Sequence, residues 1–409
     1  MRVHLLPDIF SFLNDIRPQY GRPTLIFLGG SQVVDGGIHK AQNSDHDVLV
    51  IFPQIAIPES FVFTSPDGVR SYDLILRDGR SMAYDILQAH QDGKGTLLNI
   101  AALSIPLYDP EGRADSFQAL IRYHYEHGPD LLHPDDFEGE YLSLRSNFSN
   151  LKDDASFTAS LLAISNRMAK TALRVAGGWT GNGKIAGRYL QKEMPTFCGA
   201  LIQSFHSAAQ ALDPAPLQHL AIHDLPFLFE EGNKRAQPIA APHISPAFNP
   251  APDDLGEATT SARINLDALA IYAQSDKTTA QDAASTWIHM KLGNLAKPLT
   301  MERFTKKPEE YFFALGRAIS GIADVYAAQK FSKPSDFSMT ERIRSLFAHH
   351  AAFAPATNQA LEGHPESLCL LFDQALGRVV HPPLPFLHRP SRADMIADPA
   401  LVIPDSWVF

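Results

Sequence analysis

Two apolar runs separated by a polar loop constrain the fold of this chain more than any other feature. The first covers residues 25–28 and ends in Gly-Gly-Ser, and the second covers residues 48–52 and follows Ser-Asp-His-Asp. Short apolar runs bounded by glycine and polar residues are typical of buried strands. Since residues i and i+2 of a strand point to the same face, Asp45 and Asp47 are expected to project side by side.

This arrangement has a chemical meaning. Two carboxylates that lie close together repel each other, and the pair is costly unless a cation lies between them. Mg²⁺ binds through one or two carboxylates together with substrate phosphates. Gly29 and Gly30 allow a close approach of the backbone to a ligand, and the N–H groups of such a turn can hold phosphate. The two segments therefore predict a site for Mg²⁺ and a phosphorylated ligand.

Gly-Gly-Ser, a loop and Ser-Asp-x-Asp at the start of an apolar strand resemble the nucleotidyltransferase superfamily, which includes polymerase beta, poly(A) polymerases, CCA-adding enzymes and aminoglycoside nucleotidyltransferases. In that family Gly-Ser holds the triphosphate and the paired acids hold two metals. The resemblance implies that Asp45 and Asp47 are metal ligands and catalytic residues. It also implies a nucleotide-binding set made of Gly29, Gly30, Ser31 and Ser44.

A third carboxylate is expected on a neighbouring strand. Residues 71–76 alternate as a strand, and Asp-Gly directly after it predicts a hairpin turn with a return strand over residues 81–87. In the family the third acid commonly lies on the strand after such a hairpin, which favours Asp85 as a catalytic and metal-binding residue. Asp73, on the first strand of the pair, is the alternative.

The passage from Gly95 to Gly112 reads as a helix, a short strand and a turn. Many nucleotidyltransferases carry a similar passage. Asp109 precedes a proline in that turn, so we expect it to have a structural role.

A glycine-rich turn near residues 177–183 ends in Lys184 at the start of a predicted helix. Helix N-terminal N–H groups and a lysine together attract phosphate. In small-molecule nucleotidyltransferases a similar turn lies on the helical domain, and this resemblance implies that Lys184 contacts the triphosphate. Asn182 and Arg188 are weaker candidates, and the alternative is a helix–helix turn with a solvated lysine.

The pattern of apolar residues along the whole chain predicts an α+β protein with a mixed sheet and flanking helices at its N-terminus, followed by helical domains. The predicted boundaries are a nucleotidyltransferase domain over 1–130, a helical domain over 131–235, a proline-rich linker over 236–255, a second helical domain over 256–375 and an extended tail over 376–409. Proline at the density of the linker is incompatible with a helix or a central strand.

Net charge and cysteine content indicate which classes of partner and which cellular compartment to expect. The net charge of −10 disfavours a long nucleic acid, whose binders usually carry a basic surplus. Only 2 cysteines occur, which fits a reducing compartment. The N-terminus has no signal-peptide pattern and no run is long enough to span a membrane, so we expect a cytoplasmic protein without a membrane partner.

Arg344 and His349 have the Arg-x-x-x-x-His spacing of HEPN ribonucleases, whose helical domains often accompany nucleotidyltransferases. A basic helix C-terminus, with the histidines satisfying the helix dipole, explains the same residues.

The resemblance implies an Mg²⁺-dependent transfer of a nucleoside monophosphate from an NTP, such as ATP, to a hydroxyl of an acceptor, with two Mg²⁺ ions and release of pyrophosphate. A small cationic acceptor fits the acidic chain best. A protein or RNA acceptor, and a degenerate protein that binds nucleotide without turnover, are the alternatives.

Overall fold

The computed structural model describes residues 2–30, 33–34, 37–38, 46–55, 59–181, 183–235, 295–377 and 386–389. Their contacts divide them into two compact units. The first unit comprises the described residues up to Gly128 and the strand Phe386–Arg389, and the second comprises those from Pro129 to 377. The proline-rich segment predicted as a linker lies outside the described residues.

The first unit combines a sheet with helices. Its elements are α1 (Arg2–Ile16), β1 (Leu25–Gly29), β2 (Val33–Val34), β3 (Gly37–Ile38), β4 (His46–Ile51), β5 (Glu59–Thr64), β6 (Ser71–Arg77), α2 (Gly79–Asp92), α3 (Thr96–Ala102), β7 (Ile105–Tyr108), α4 (Ala114–His127) and β8 (Phe386–Arg389).

The main sheet is mixed and has six strands in the order β7-β1-β4-β6-β5-β8. β4 and β6 are parallel, and the other neighbours are antiparallel. β2 and β3 form a separate pair. The edge strand β8 belongs to the region predicted as an extended tail, and it pairs with β5 along Ser60 to Phe63.

Helix α1 covers one face of this sheet, and burial alternates along the strand β6 beneath it. Tyr72, Leu74 and Leu76 of β6 are buried, whereas the residues between them are half-buried. The buried side chains pack with Leu5 and Ile9 of α1 in one core. Removing apolar surface from water stabilises a fold by about 25 cal/mol per Å², so this core stabilises the unit.

The predicted hairpin after β6 is wrong. Asp78 does not turn the chain into a return strand but caps α2, since its carboxylate accepts a hydrogen bond from the backbone N–H of Ser81, whose hydroxyl in turn accepts one from the N–H of Asp78. Such a capping box satisfies N–H groups that a helix start otherwise leaves without partners. The stretch over 81–87, expected to be a strand, is therefore helical.

The helix–strand–turn passage after α2 is confirmed. α3 and β7 occupy the expected positions, and the carboxylate of Asp109 accepts hydrogen bonds from the N–H groups of Arg113 and Ala114 at 2.8 and 3.1 Å. Asp109 thereby closes the turn that leads into α4. On the sheet face opposite α1, Phe27 stacks on Phe117 of α4 with ring centroids 5.2 Å apart.

All regular secondary structure among the described residues of the second unit is helical. Its helices are α5 (Pro134–Ser149), α6 (Phe157–Val175), α7 (Gly183–Glu193), α8 (Pro195–Ala211), α9 (Ala215–His219), a π-helical turn (Leu220–Asp224), α10 (Leu225–Arg235), α11 (Met301–Lys306), α12 (Pro308–Lys330), α13 (Met339–His349), α14 (Phe353–Leu361) and α15 (Glu366–Gly377).

The helices on either side of the predicted linker pack together, whereas the sequence predicted two helical domains. α12 contacts both α6 and α7. Glycines allow this approach: a β-carbon at Gly316 would stand 2.5 Å from the carbonyl oxygen of Leu162, and one at Gly187 would stand 2.7 Å from that of Glu309. The α+β class predicted from the sequence is confirmed. Among the described helices, none is long and apolar enough to cross a bilayer.

Candidate functional site

The sheet brings a glycine and two carboxylates into one row across three strands. Gly29, at the end of β1, is the register partner of Asp47 at the start of β4, and Asp47 is the register partner of Asp73 on β6. Neighbouring strands lie about 4.8 Å apart, and register partners share a face. Asp47 and Asp73 therefore lie side by side and are both half-buried.

Gly30 lies directly against this row. Its φ is +71°, and a β-carbon there would stand 1.7 Å from Oδ2 of Asp47. Such a separation is far inside any non-bonded contact, so a residue with a side chain at position 30 would have to displace the carboxylate. Both the positive φ and the contact require glycine at this position.

Helix α3 supports the row from the side. A β-carbon at Gly29 would stand 2.7 Å from the carbonyl oxygen of Ile100 and 2.7 Å from its Cγ2. The absence of side chains at positions 29 and 30 thus lets β1 end between α3 and the Asp47 carboxylate. The sequence attributed both glycines to phosphate binding, and the structure shows that they also make room for their neighbours.

The row fits a divalent cation. Two carboxylates in register on adjacent strands supply the oxygen ligands that Mg²⁺ prefers, and their mutual repulsion falls when a cation binds. Asp45, the other predicted metal ligand, precedes β4 and lies outside the described residues, as do Ser31 and Ser44. Among the side chains that the structure describes, no group of three or more His, Cys, Asp or Glu could hold a metal ion.

His46, which the sequence reading assigned no role, ties the start of β4 to the start of β6. Its Nδ1 lies 3.2 Å from the carbonyl oxygen of Ser71, and because a carbonyl only accepts, Nδ1 carries the proton. The ring of His46 lies 5.2 Å from that of Tyr72, whose hydroxyl donates to Asp8 of α1 at 2.7 Å. These contacts of His46 and Tyr72 lie on the α1 side of the sheet, directly next in sequence to Asp47 and Asp73. No local sequence pattern marks them, because Ser71 is 25 residues away.

Asp85 is placed apart from the row. It lies on α2 and forms an ion pair with Arg77, the last residue of β6. Arg77 is four residues beyond Asp73, which is about 13 Å along a strand. The alternative third carboxylate, Asp73, is the one that the structure places beside Asp47.

Lys184 is the second residue of α7, so the predicted helix start is correct. It belongs to the second unit, and its predicted contact with a triphosphate stays a prediction. Arg188, one turn further, donates to Glu310 of α12. Asn182 lies outside the described residues.

Arg344 and His349 are both on α13. Arg344 donates to the carbonyl oxygen of Asn150 at 3.4 Å, and Nδ1 of His349 lies 2.8 Å from the carbonyl oxygen of Ser345 in its own helix. Both contacts are of the kind that stabilise helix ends and helix packing. They support the structural explanation of this pair, and the HEPN-like activity stays untested.

Comparison with protein-family models and with curated proteins finds no match to this chain.

Proposed function

We propose that this chain is an Mg²⁺-dependent nucleotidyltransferase whose active site lies at the end of β1 and the starts of β4 and β6. One observation carries the proposal: the row in which Gly29 and Gly30 border the carboxylates of Asp47 and Asp73. A phosphate-binding turn beside paired acids is what metal-dependent transfer to a hydroxyl needs. The nucleotidyltransferase fold itself is part of this proposal.

Each residue of the row has a role in the proposed reaction. The Gly29–Gly30 turn offers backbone N–H groups to the phosphates of the NTP, and the Asp47 carboxylate, held against Gly30, has a fixed position. Asp73, the neighbouring carboxylate, is the group that accepts the proton of the attacking hydroxyl. Asp73 thereby replaces Asp85 as the proposed third acid.

Asp47 and Asp73 would hold the metal, together with Asp45, for which strand periodicity predicts the same face. Bound Mg²⁺ supplies charge stabilisation of the phosphoryl oxygens and of the leaving pyrophosphate. The protein contributes the orientation of the carboxylates, which the β-ladder and the His46–Ser71 contact fix.

The acceptor is proposed to be a small molecule with a hydroxyl and positive charge. A chain with a net charge of −10 attracts cations and repels polyanionic nucleic acids. Transfer to a protein or RNA hydroxyl is the competing function within the same chemistry.

The experiment is a thermal unfolding series of the full chain with ATP, GTP, CTP or UTP, each with and without Mg²⁺. A ligand that binds only the folded state stabilises it by roughly 3–4 kcal/mol at about 100–1,000 times its Kd. We expect at least one nucleotide to raise the melting temperature in an Mg²⁺-dependent manner, and Asp47→Asn to remove the effect.

Asp67→Asn is the control, since Asp67 is an exposed acid of the same unit that pairs with Arg70 outside the row. Equal loss of the nucleotide effect in Asp67→Asn and Asp47→Asn would contradict the assignment. The absence of a shift with all four nucleotides would contradict a nucleotide-binding site in this chain.

A further inference from the structure

His219 and His223 are neighbours on one side of a helical segment in the second unit. His219 is the last residue of α9, and His223 belongs to the π-helical turn Leu220–Asp224 that follows. Their ring centroids are 4.4 Å apart, and the ring planes are tilted by 45°. Residues four apart in a helix share a face. The two imidazoles, the histidine pair, therefore project from the segment together.

The histidine pair lies on the exposed side of this segment. Both histidines are exposed, whereas Leu217, Leu220 and Leu225 are buried. The backbone N–H of Leu225 bonds to the carbonyl oxygen of Leu220, which makes the turn between α9 and α10 π-helical. Single π-helical turns next to α-helices are frequent at functional sites. Burial of the leucines holds the backbone in place and leaves both rings open to solvent.

The ring nitrogens of the histidine pair are not engaged by the part of the chain that the structure describes. Within that part, neither ring has a hydrogen-bond partner, and the ring contact of each is with the other. Other histidines differ, since His46, His127 and His349 each place Nδ1 within hydrogen-bonding distance of a backbone carbonyl oxygen. The nitrogens of the pair are therefore available to a ligand from solvent.

The distance between the two rings suits a shared metal ion. Two histidines four residues apart on a helix can each give one nitrogen to the same ion. At a metal–nitrogen distance of about 2.0–2.1 Å, two imidazoles bound at roughly a right angle have centroids about 4.5 Å apart. The observed separation of 4.4 Å agrees with that value. Imidazole nitrogen suits Zn²⁺, Ni²⁺ and Cu²⁺, whereas Mg²⁺ prefers oxygen.

We propose that His219 and His223 bind one divalent transition-metal ion of the class that includes Zn²⁺, Ni²⁺ and Cu²⁺. No third His, Cys, Asp or Glu joins them among the described residues, so water completes the coordination shell. The ion ties the end of α9 to the π-helical turn. The site consists of residues of the second unit alone, and it is independent of the proposed Mg²⁺ site at the Asp47–Asp73 row.

The test is calorimetric titration of the full chain with Zn²⁺ in excess Mg²⁺, which occupies oxygen sites and does not compete for imidazole. We expect a saturable Zn²⁺ equivalent, and tighter binding of Cu²⁺ than of Zn²⁺ at the same site. His219→Gln and His223→Gln should each weaken Zn²⁺ binding by about tenfold or more, because each removes one of two ligands held at high effective concentration. Unchanged binding in either variant would overturn the site.

His364→Gln is the matched control, since His364 is an exposed histidine of the same unit that lies outside the pair. The proposal requires that His364→Gln binds Zn²⁺ as the unchanged chain does, and equal weakening by His364→Gln and His223→Gln would overturn it. The double variant His219→Gln/His223→Gln should bind little more weakly than either single variant, because the loss of one ligand already removes the chelate. Additive losses would contradict a shared ion.

Amide hydrogen exchange locates the ion and separates this site from the proposed active site. Zn²⁺ should slow exchange over residues 217–227 of the unchanged chain but not of His223→Gln, because an ion bound across one helical turn opposes local opening. Protection confined to other segments would overturn the proposal. The same protection should persist in Asp47→Asn, and its loss in that variant would overturn the independence of the two sites.

Discussion

The backbone of Gly30 occupies the space beside the carboxylate of Asp47, so closely that a β-carbon at position 30 would stand 1.7 Å from Oδ2. The end of β1 and the position of the proposed metal ligand therefore depend on each other. This relationship makes the glycine as important to the site as the acid.

Gly30→Ala is expected to displace Asp47 and remove Mg²⁺-dependent nucleotide binding. The positive φ adds a backbone cost of about 1–2 kcal/mol. Gly68→Ala is the matched control, because Gly68 has the same φ of +71° and a β-carbon there would meet nothing within 4 Å. Gly30→Ala should lose at least as much stability in chemical unfolding as Gly68→Ala, because it adds the clash with Asp47 to the same backbone cost, and only Gly30→Ala should lose the nucleotide. If Gly68→Ala loses it as well, the contact with Asp47 is not the cause.

Asp73→Asn and Asp85→Asn distinguish the two candidate third carboxylates. Asp73→Asn is expected to remove Mg²⁺-dependent nucleotide stabilisation, because it deletes a charge beside Asp47. Asp85→Asn should retain that stabilisation and lower the free energy of unfolding by about 1–2 kcal/mol, since it breaks the ion pair with Arg77. The opposite pattern, measured by thermal unfolding with and without Mg²⁺-NTP, would restore Asp85 to the site.

Acid is expected to destabilise the first unit through His124. Burial, and then the charges of His90 and His127, lower the pKa of His124 from 6.5 to about 4. The unfolded chain therefore binds a proton more readily, so this contribution is complete above pH 6.5 and is lost as the pH falls towards 4. In His124→Gln, the midpoint of urea unfolding should change less with pH between these two values than it does in the unchanged chain. His127→Gln, which changes an exposed residue of the same helix, should keep most of this pH dependence.

Gly187→Ala is expected to destabilise the second unit, because its β-carbon would stand 2.7 Å from the carbonyl oxygen of Glu309 where α7 meets α12. Overpacking of this kind typically costs about 1–3 kcal/mol. Gly199→Ala on α8 meets nothing within 4 Å and should be neutral or stabilising by up to about 1 kcal/mol. Chemical unfolding of both variants tests the close packing, and equal behaviour would contradict it.

Local patterns were sufficient to predict β1, β4 and the passage through α3 and β7, because apolar runs and turn residues determine them directly. The Asp78-Gly79 pair led to the wrong prediction of a hairpin after β6, because aspartate before glycine is found at helix starts as well as in hairpin turns. The spacing of Met82, Ile86 and Ala89, all buried on α2, was the signal for a helix. Neither the parallel pairing of β4 with β6 nor the resulting Asp47–Asp73 pair follows from a local pattern.

Contacts between distant segments were also beyond the reach of sequence periodicity. Arg188 and Glu310 are 122 residues apart, and their pairing shows that α7 and α12 share one unit. A proline-rich tract between two helical blocks suggests separate domains, but it does not determine which faces of the helices pack together. The need for glycine at the helix crossings, as at Gly187 and Gly316, becomes apparent only from the contacts in the structure.

The most direct test of the proposed active site is a titration of Mn²⁺ followed by electron paramagnetic resonance in the presence of a non-hydrolysable NTP analogue. Mn²⁺ takes the oxygen ligands that Mg²⁺ takes. We predict nucleotide-dependent Mn²⁺ binding by the unchanged chain, loss of that binding in both Asp47→Asn and Asp73→Asn, and its retention in Asp67→Asn. Mn²⁺ binding that is unchanged in Asp47→Asn and Asp73→Asn would contradict a metal-dependent transferase site at this end of the sheet.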